Sequence, residues 1–194
     1  MSSRLPLEQE ETLVKQAQQN IEAFRELYNY YFPKIYAYVS YRLGRVQDTE
    51  DLVADIFLTA VQKLDQYEWR GSGSFTGWLF RIAHNRVSDF YRHRENKQET
   101  LPLAALPDLE ADTDHPIDTI LQKEKFDHLR RLINTLSPRR QEIITLKFFA
   151  GLRNQEIAHL LGLNERTIAA HLCRGLADLQ RKYEEALVQF EPRT

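Results

Sequence analysis

Asn154-Gln155-Glu156-Ile157-Ala158-His159-Leu160-Leu161-Gly162-Leu163-Asn164-Glu165-Arg166-Thr167-Ile168 reads as a helix, a tight turn and a second helix. Ala158 is small where two helices would cross closely. Gly162, four residues on, stands where the first helix should end and the chain needs positive φ. Asn164 is a good N-cap for the second helix, and Ile168 would plug that helix into a core. This geometry lets a helix enter a DNA major groove, although a purely structural helical hairpin can carry the same spacing.

Helical signals continue on both sides. Upstream, Leu121, Phe126, Leu129, Leu132, Ile133 and Leu136 recur at helical spacing up to Ser137-Pro138. Ser137 as N-cap with Pro138 at the first helical position then opens a helix through Ile143, Ile144, Leu146 and Phe148 to Gly151. Downstream, Ile168, Leu172, Leu176 and Leu179 form the expected inward face of a helix ending near Leu187. Nearer the start, Ala23, Leu27, Tyr31, Ile35 and Val39 predict one long helix over 20–43, stopped by Gly44. Asp48-Thr49-Glu50-Asp51 opens another helix with acids in its first turn, which suits the helix dipole. A loop over 66–73 follows, and Ser74 caps a helix from Phe75 to about Asn96, with Trp78, Leu79, Ile82, Val87 and Phe90 expected inward.

Residues 98–117 break the pattern, with Pro102, Pro107 and Pro116 among acids. The expected architecture is all-α: a helical domain over 1–97, a flexible acidic linker over 98–116 and a second helical domain over 117–194. No alternating strand pattern and no internal repeat is present.

The 194 residues carry a formal net charge of −2, which is unusual for a nucleic-acid binder until its distribution is considered. Glu99, Asp108, Glu110, Asp112, Asp114 and Asp118 fall in a stretch without a Lys or Arg. On either side, 75–97 and 137–183 are net basic and can neutralise phosphates by releasing counterions. The single Cys173 excludes an internal disulfide and a multi-cysteine zinc site, and reads most simply as a packing residue. The first residues have no apolar core of a signal peptide, and no run of about 18 apolar residues exists to span a membrane. The cytoplasm is the expected compartment.

Outward candidates on the second helix of the opening motif are Arg166, Thr167, Ala170, His171 and Arg174. Arg reaches guanine edges or phosphates, and Thr and Ala offer methyl contacts to thymine. The loop Tyr67–Ser74 combines Tyr67, Trp69, Arg70, Ser72 and Ser74. Aromatic rings there can stack on unpaired bases, or they can seal the end of a small helical core. Arg81, Asn85, Arg86 and Arg92 follow on one helix, spaced to face a phosphate backbone.

Taken together, Asp48-Thr49-Glu50-Asp51-Leu52-Val53-Ala54-Asp55-Ile56-Phe57-Leu58 and Ser74-Phe75-Thr76-Gly77-Trp78-Leu79-Phe80-Arg81-Ile82-Ala83-His84-Asn85 resemble region 2 of bacterial sigma factors of the extracytoplasmic-function group. Leu136-Ser137-Pro138-Arg139-Arg140-Gln141-Glu142, with the motif after it, resembles their region 4. The resemblance implies core RNA polymerase as partner, through its β′ clamp and its β subunit, with Asp48, Glu50, Asp51, Asp55 and Phe57 at the docking positions. It implies that Tyr67, Trp69, Arg70, Ser72, Ser74, Arg81, Asn85 and Arg86 read and melt the promoter −10 element. Asn164, Arg166, Thr167, Ala170, His171 and Arg174 would read the −35 duplex. An anti-sigma protein, membrane-bound in some relatives, is the further implied partner; cofactor, metal and direct membrane insertion are not expected.

The chain departs from the family where Ala169-Ala170-His171 stands for the usual Lys-Ser-Arg, which removes two long polar side chains from the reading face. Two other classes of protein account for less of this pattern. A stand-alone helix-turn-helix regulator explains the second domain but not the aromatic-basic pattern of the first. An enzyme would need a P-loop, metal-ligand cluster or nucleophile–base pair, and none is present: Gly71-Ser72-Gly73 follows no predicted strand, and the six His are scattered.

Overall fold

The protein is described by a computed structural model covering residues 7–71, 74–98 and 128–190. The expected acidic linker lies outside the described residues from residue 99 onward, as do Ser72 and the beginning of the helix expected near Ile117. The chain divides into two compact units, Met1–Asp108 and Leu109–Thr194, and the described residues of both are helical with no strand.

The first unit contains α1 (Leu7–Ala17), α2 (Ile21–Leu43), α3 (Val46–Leu64) and α4 (Ser74–Gln98). Local signals set the limits of α2. The Asn20 side chain accepts a hydrogen bond from Glu22 N at 2.9 Å, and Gly44 ends the helix at φ 83°, donating its N–H to Ser40 O at 3.0 Å. Leu27, Tyr31, Ile35, Tyr38 and Val39 form its buried stripe, against Ile56 and Ala60 of α3 and Phe75, Leu79, Phe80, Ala83 and Val87 of α4. Pro33 lies inside α2 on the exposed side, where water can serve the carbonyl its missing N–H leaves open. Helix α3 begins two residues before the expected Asp48, after Arg45.

Helix α1 was not anticipated from the sequence. It buries Leu13, Val14 and Ala17 and packs on α2. A polar cluster fixes it. Glu10, only 3% exposed, accepts hydrogen bonds from the Tyr31 hydroxyl and from Thr76 Oγ1 at 3.2 Å, while Tyr31 Oη and Thr76 Oγ1 lie 2.8 Å apart. Three helices therefore share one buried carboxyl group. Removing a donor from such a group costs about 1–3 kcal/mol, so Tyr31→Phe is expected to lower unfolding stability by that amount in a denaturant titration near pH 7.

The same substitution has a pH signature. Burial, and then the adjacent Glu10, push the Tyr31 hydroxyl above its ordinary value of 10.0. The folded state keeps the phenol proton where the unfolded chain releases it, so this contribution is intact below about pH 10 and is lost as pH rises above it. Tyr31→Phe should therefore show a shallower alkaline loss of stability than the parent. The burial-raised Tyr41 and Tyr67 hydroxyls maintain a residual slope.

The second unit contains α5 (helical residues 128–134), α6 (Pro138–Phe148), α7 (Asn154–Leu161) and α8 (Glu165–Phe190). Ser137 occupies the N-cap position with Pro138 following, as the sequence predicts, but its side chain makes no capping hydrogen bond. The turn before α6 is held instead by Gln141 Nε2, which donates to Asn134 O at 3.0 Å and Leu136 O at 2.8 Å. Ile133, Ile143, Leu146, Leu152, Ile157 and Ile168 are all nearly or fully buried and form the core. The Arg140–Asp178 ion pair ties α6 to α8.

Gly162 ends α7 at φ 65°, and the N–H groups of Gly162 and Leu163 both turn back to Ala158 O. A Cβ there would meet nothing within 4 Å, so the glycine is required by the backbone angle rather than by space. Gly162→Ala is expected to lower the thermal midpoint through a cost of about 1–2 kcal/mol, the penalty of a left-handed L-residue.

Candidate nucleic-acid and polymerase-docking surfaces

The helix-turn-helix consists of α7, the Gly162 turn and α8. Asn164 Oδ1 accepts hydrogen bonds from Thr167 N at 2.7 Å and Thr167 Oγ1 at 2.8 Å. That cap orients the first turn of α8 and occupies the Asn164 carbonyl oxygen and the Thr167 hydroxyl. Arg166 and Arg174 are exposed, while Ala170 and His171 are half-buried on the same helix. His171 Nδ1 is shielded from solvent and has no hydrogen-bond partner among the described residues. The face on offer is thus two exposed cations, Arg166 and Arg174, on either side of the half-buried Ala170 and His171.

Two expectations about α8 change. Leu176, read as inward, is 44% exposed; Gly175 faces the core in its place, so close to α6 that a Cβ would lie 2.7 Å from Ile144 Cδ1. Cys173, read as packing, is exposed.

In the first unit, the loop between α3 and α4 is anchored rather than loose. The Tyr67 ring is 8% exposed and packs against Phe75 and Trp78, with centroids 5.5 and 5.0 Å away. Of the two readings open for the loop aromatics, core packing is therefore the one that describes Tyr67, which has no free face for a base. Its hydroxyl lies 2.6 Å from Ser74 Oγ, and Ser74 Oγ also accepts from Arg70 N at 3.2 Å. Trp69 is half-buried, and the Arg70 guanidinium is exposed beside Glu68 at 3.4 Å. Arg81 and Asn85 are exposed on α4.

Arg86 differs from the expected DNA contact. Its Nε lies 3.0 Å from Asp55 Oδ2 and its NH2 group donates to Thr59 Oγ1 at 2.9 Å, so it bridges α4 to α3. Asp55 is thereby engaged within the unit rather than free for docking alone. Glu50 and Asp51 are exposed near the start of α3, and Asp48 lies 4.0 Å from Arg45. Phe57 is 5% exposed, with its ring 4.6 Å from that of Tyr28, so it packs between α3 and α2 rather than standing at an open docking position.

The residues missed by sequence reasoning are Glu10 and Gln18, on and just after α1. Only Leu13, Val14 and Ala17 at helical spacing marked that helix. Among the described residues, no group of three His, Cys, Asp or Glu is placed to hold a metal ion, and no helix is long and apolar enough to cross a membrane.

These two units, a loop-bearing unit with four helices among its described residues followed by a helix-turn-helix unit, define a class that comparison with known proteins makes specific. Residues 27–97 match the family described as Sigma-70 region 2, and residues 126–179 match Sigma-70, region 4. The chain is 32% identical to the ECF RNA polymerase sigma factor BldN of Streptomyces coelicolor over 87% of its own length and 64% of that protein. It is 26% identical to the ECF sigma factor SigW of Bacillus subtilis over 84% of its own length and 90% of that protein. A solved structure of CnrH in complex with the cytosolic domain of CnrY has the same fold, with a TM-score of 0.68 at 23% identity over 90% of this chain and 96% of that one. The chain belongs to the sigma-70 family, in its extracytoplasmic-function group.

Proposed function

We propose that this protein directs core RNA polymerase to a specific set of promoters in the cytoplasm and starts transcription there, supplying binding energy rather than covalent chemistry. The observation that carries this reading is the ordered pair of matches: a region 2 unit with an anchored aromatic-basic loop, then a region 4 unit with a correctly capped helix-turn-helix. Trp69 and Arg70, with Ser72 and the exposed Arg81 and Asn85, would hold unpaired −10 bases and adjacent phosphates. Arg166 and Arg174 would contact the −35 duplex, with Ala170 and His171 between them. The acids Asp48, Glu50, Asp51 and Asp55 would meet the β′ clamp, with the buried Phe57 helping to seat α3 on α2.

A small protein partner that covers these surfaces fits the same reading. CnrH has been solved with the cytosolic domain of CnrY, and an anti-sigma partner of this kind is proposed for the present chain. The test is initiation in a defined system. The protein, core polymerase and a random promoter library should yield transcripts whose start sites share two upstream elements. Initiation that ignores the added protein would overturn the reading.

A further inference from the structure

The loop that carries Trp69 and Arg70 is anchored by a residue that lies outside the region 2 match, which begins at residue 27. Gln18 stands just after α1, and its side-chain amide is forked. Nε2 donates to Leu64 O at 2.9 Å and to Tyr67 O at 2.7 Å. Leu64 is the last residue of α3, and Tyr67 is the last fixed residue before the exposed Glu68. Tyr67 then passes the restraint on, because its hydroxyl meets Ser74 Oγ at 2.6 Å and Ser74 Oγ holds Arg70 N at 3.2 Å. One amide therefore fixes the backbone at the entry of the loop, and the residue it holds, Tyr67, reaches the exit through its hydroxyl. The buried Glu10 cluster holds α1, and hence Gln18, against α2 and α4.

From this geometry we infer that Gln18 is a positioning residue for promoter capture, and that α1 is a working part of the −10 reader. The inference rests on the proposed reading of the first unit as the element that captures unpaired bases. Fixing both ends of the loop in advance removes an ordering cost that would otherwise be met on binding each promoter. Gln18 itself need not touch DNA.

The test uses full-length protein assembled with core polymerase. The probe is a single-stranded oligonucleotide carrying the −10 sequence selected by the protein in the initiation assay. Gln18→Met keeps the length of the side chain and removes the donor. It is expected to weaken oligonucleotide binding about tenfold, the scale of one or two net hydrogen bonds, while assembly with core polymerase stays within about twofold of the parent. Gln18→Lys returns a donor to the same carbonyls and should recover part of the loss. A role limited to packing predicts the reverse order, because methionine fills the site better than a charged lysine. Parent-like binding by Gln18→Met, a Lys variant weaker than the Met variant, or equal loss of core assembly and oligonucleotide binding would each overturn the inference. If the parent holoenzyme itself fails to retain the oligonucleotide, the reading of the first unit fails with it.

Discussion

Trp69→Ala is expected to reduce open-complex formation by about one to two orders of magnitude, the range of about 1–3 kcal/mol for one base stacked on an aromatic side chain. Trp69 is the accessible aromatic of the loop: Tyr67 is committed to Phe75 and Trp78, whereas Trp69 is half-buried between the two anchored ends. Polymerase assembly should be unaffected, because the acids proposed for docking, Glu50 and Asp51, lie near the start of α3 and not in the loop. Permanganate reactivity of −10 thymines, read beside core binding, separates the two steps. Equal loss of opening and assembly would make Trp69 a packing residue.

The second large effect is expected from Ile168→Ala. Ile168 is 0% exposed in the first turn of α8, where it meets the core of a small helical unit. Deleting a buried isoleucine side chain to alanine costs about 2–5 kcal/mol, a large share of what so small a unit possesses. The helix that carries Arg166 and Arg174 should lose its fixed seat, and protection of the −35 duplex in the holoenzyme should largely disappear. Binding of a single-stranded −10 oligonucleotide should persist, because the loop belongs to the other unit. Parallel loss of both activities would show that the units do not unfold separately.

How far the sequence could be read depended on the range of the interaction concerned. The limits of α2, the Gly162 turn and the Asn164 cap rest on contacts within a few residues, and a local pattern states them openly. Helix α1 was hidden because its evidence is long-range: Glu10 is explained by Tyr31 and Thr76, and Gln18 by Leu64 and Tyr67. Tyr67 and Phe57 show a second limit. An aromatic residue beside a loop or an acidic helix suits a core and a binding surface equally well, and only packing separates them.

Asp55 and Arg86 had been given separate partners by the resemblance, yet they lie 3.0 Å apart and hold α3 to α4. A charge pair 31 positions apart carries no sequence mark. On α8, helical spacing from Leu172 allowed either 175 or 176 to face inward. The absence of a side chain at Gly175 decided it, since Ile144 fills that space and Leu176 turns outward.

The alanines at 169 and 170 leave the candidate reading face of α8 with few long polar side chains. Its affinity for duplex DNA alone should therefore be low. Recognition would depend on polymerase presenting both units to one promoter, so that the second contact forms at high effective concentration.

The most direct measurement compares binding of one selected promoter duplex by the protein alone and by its complex with core polymerase, at the same salt concentration. A two-part reader that works within polymerase predicts sequence-specific binding by the complex and none above the nonspecific level by the protein alone. Tight binding by the protein alone, with the same sequence discrimination, would contradict this and identify a stand-alone DNA-binding regulator.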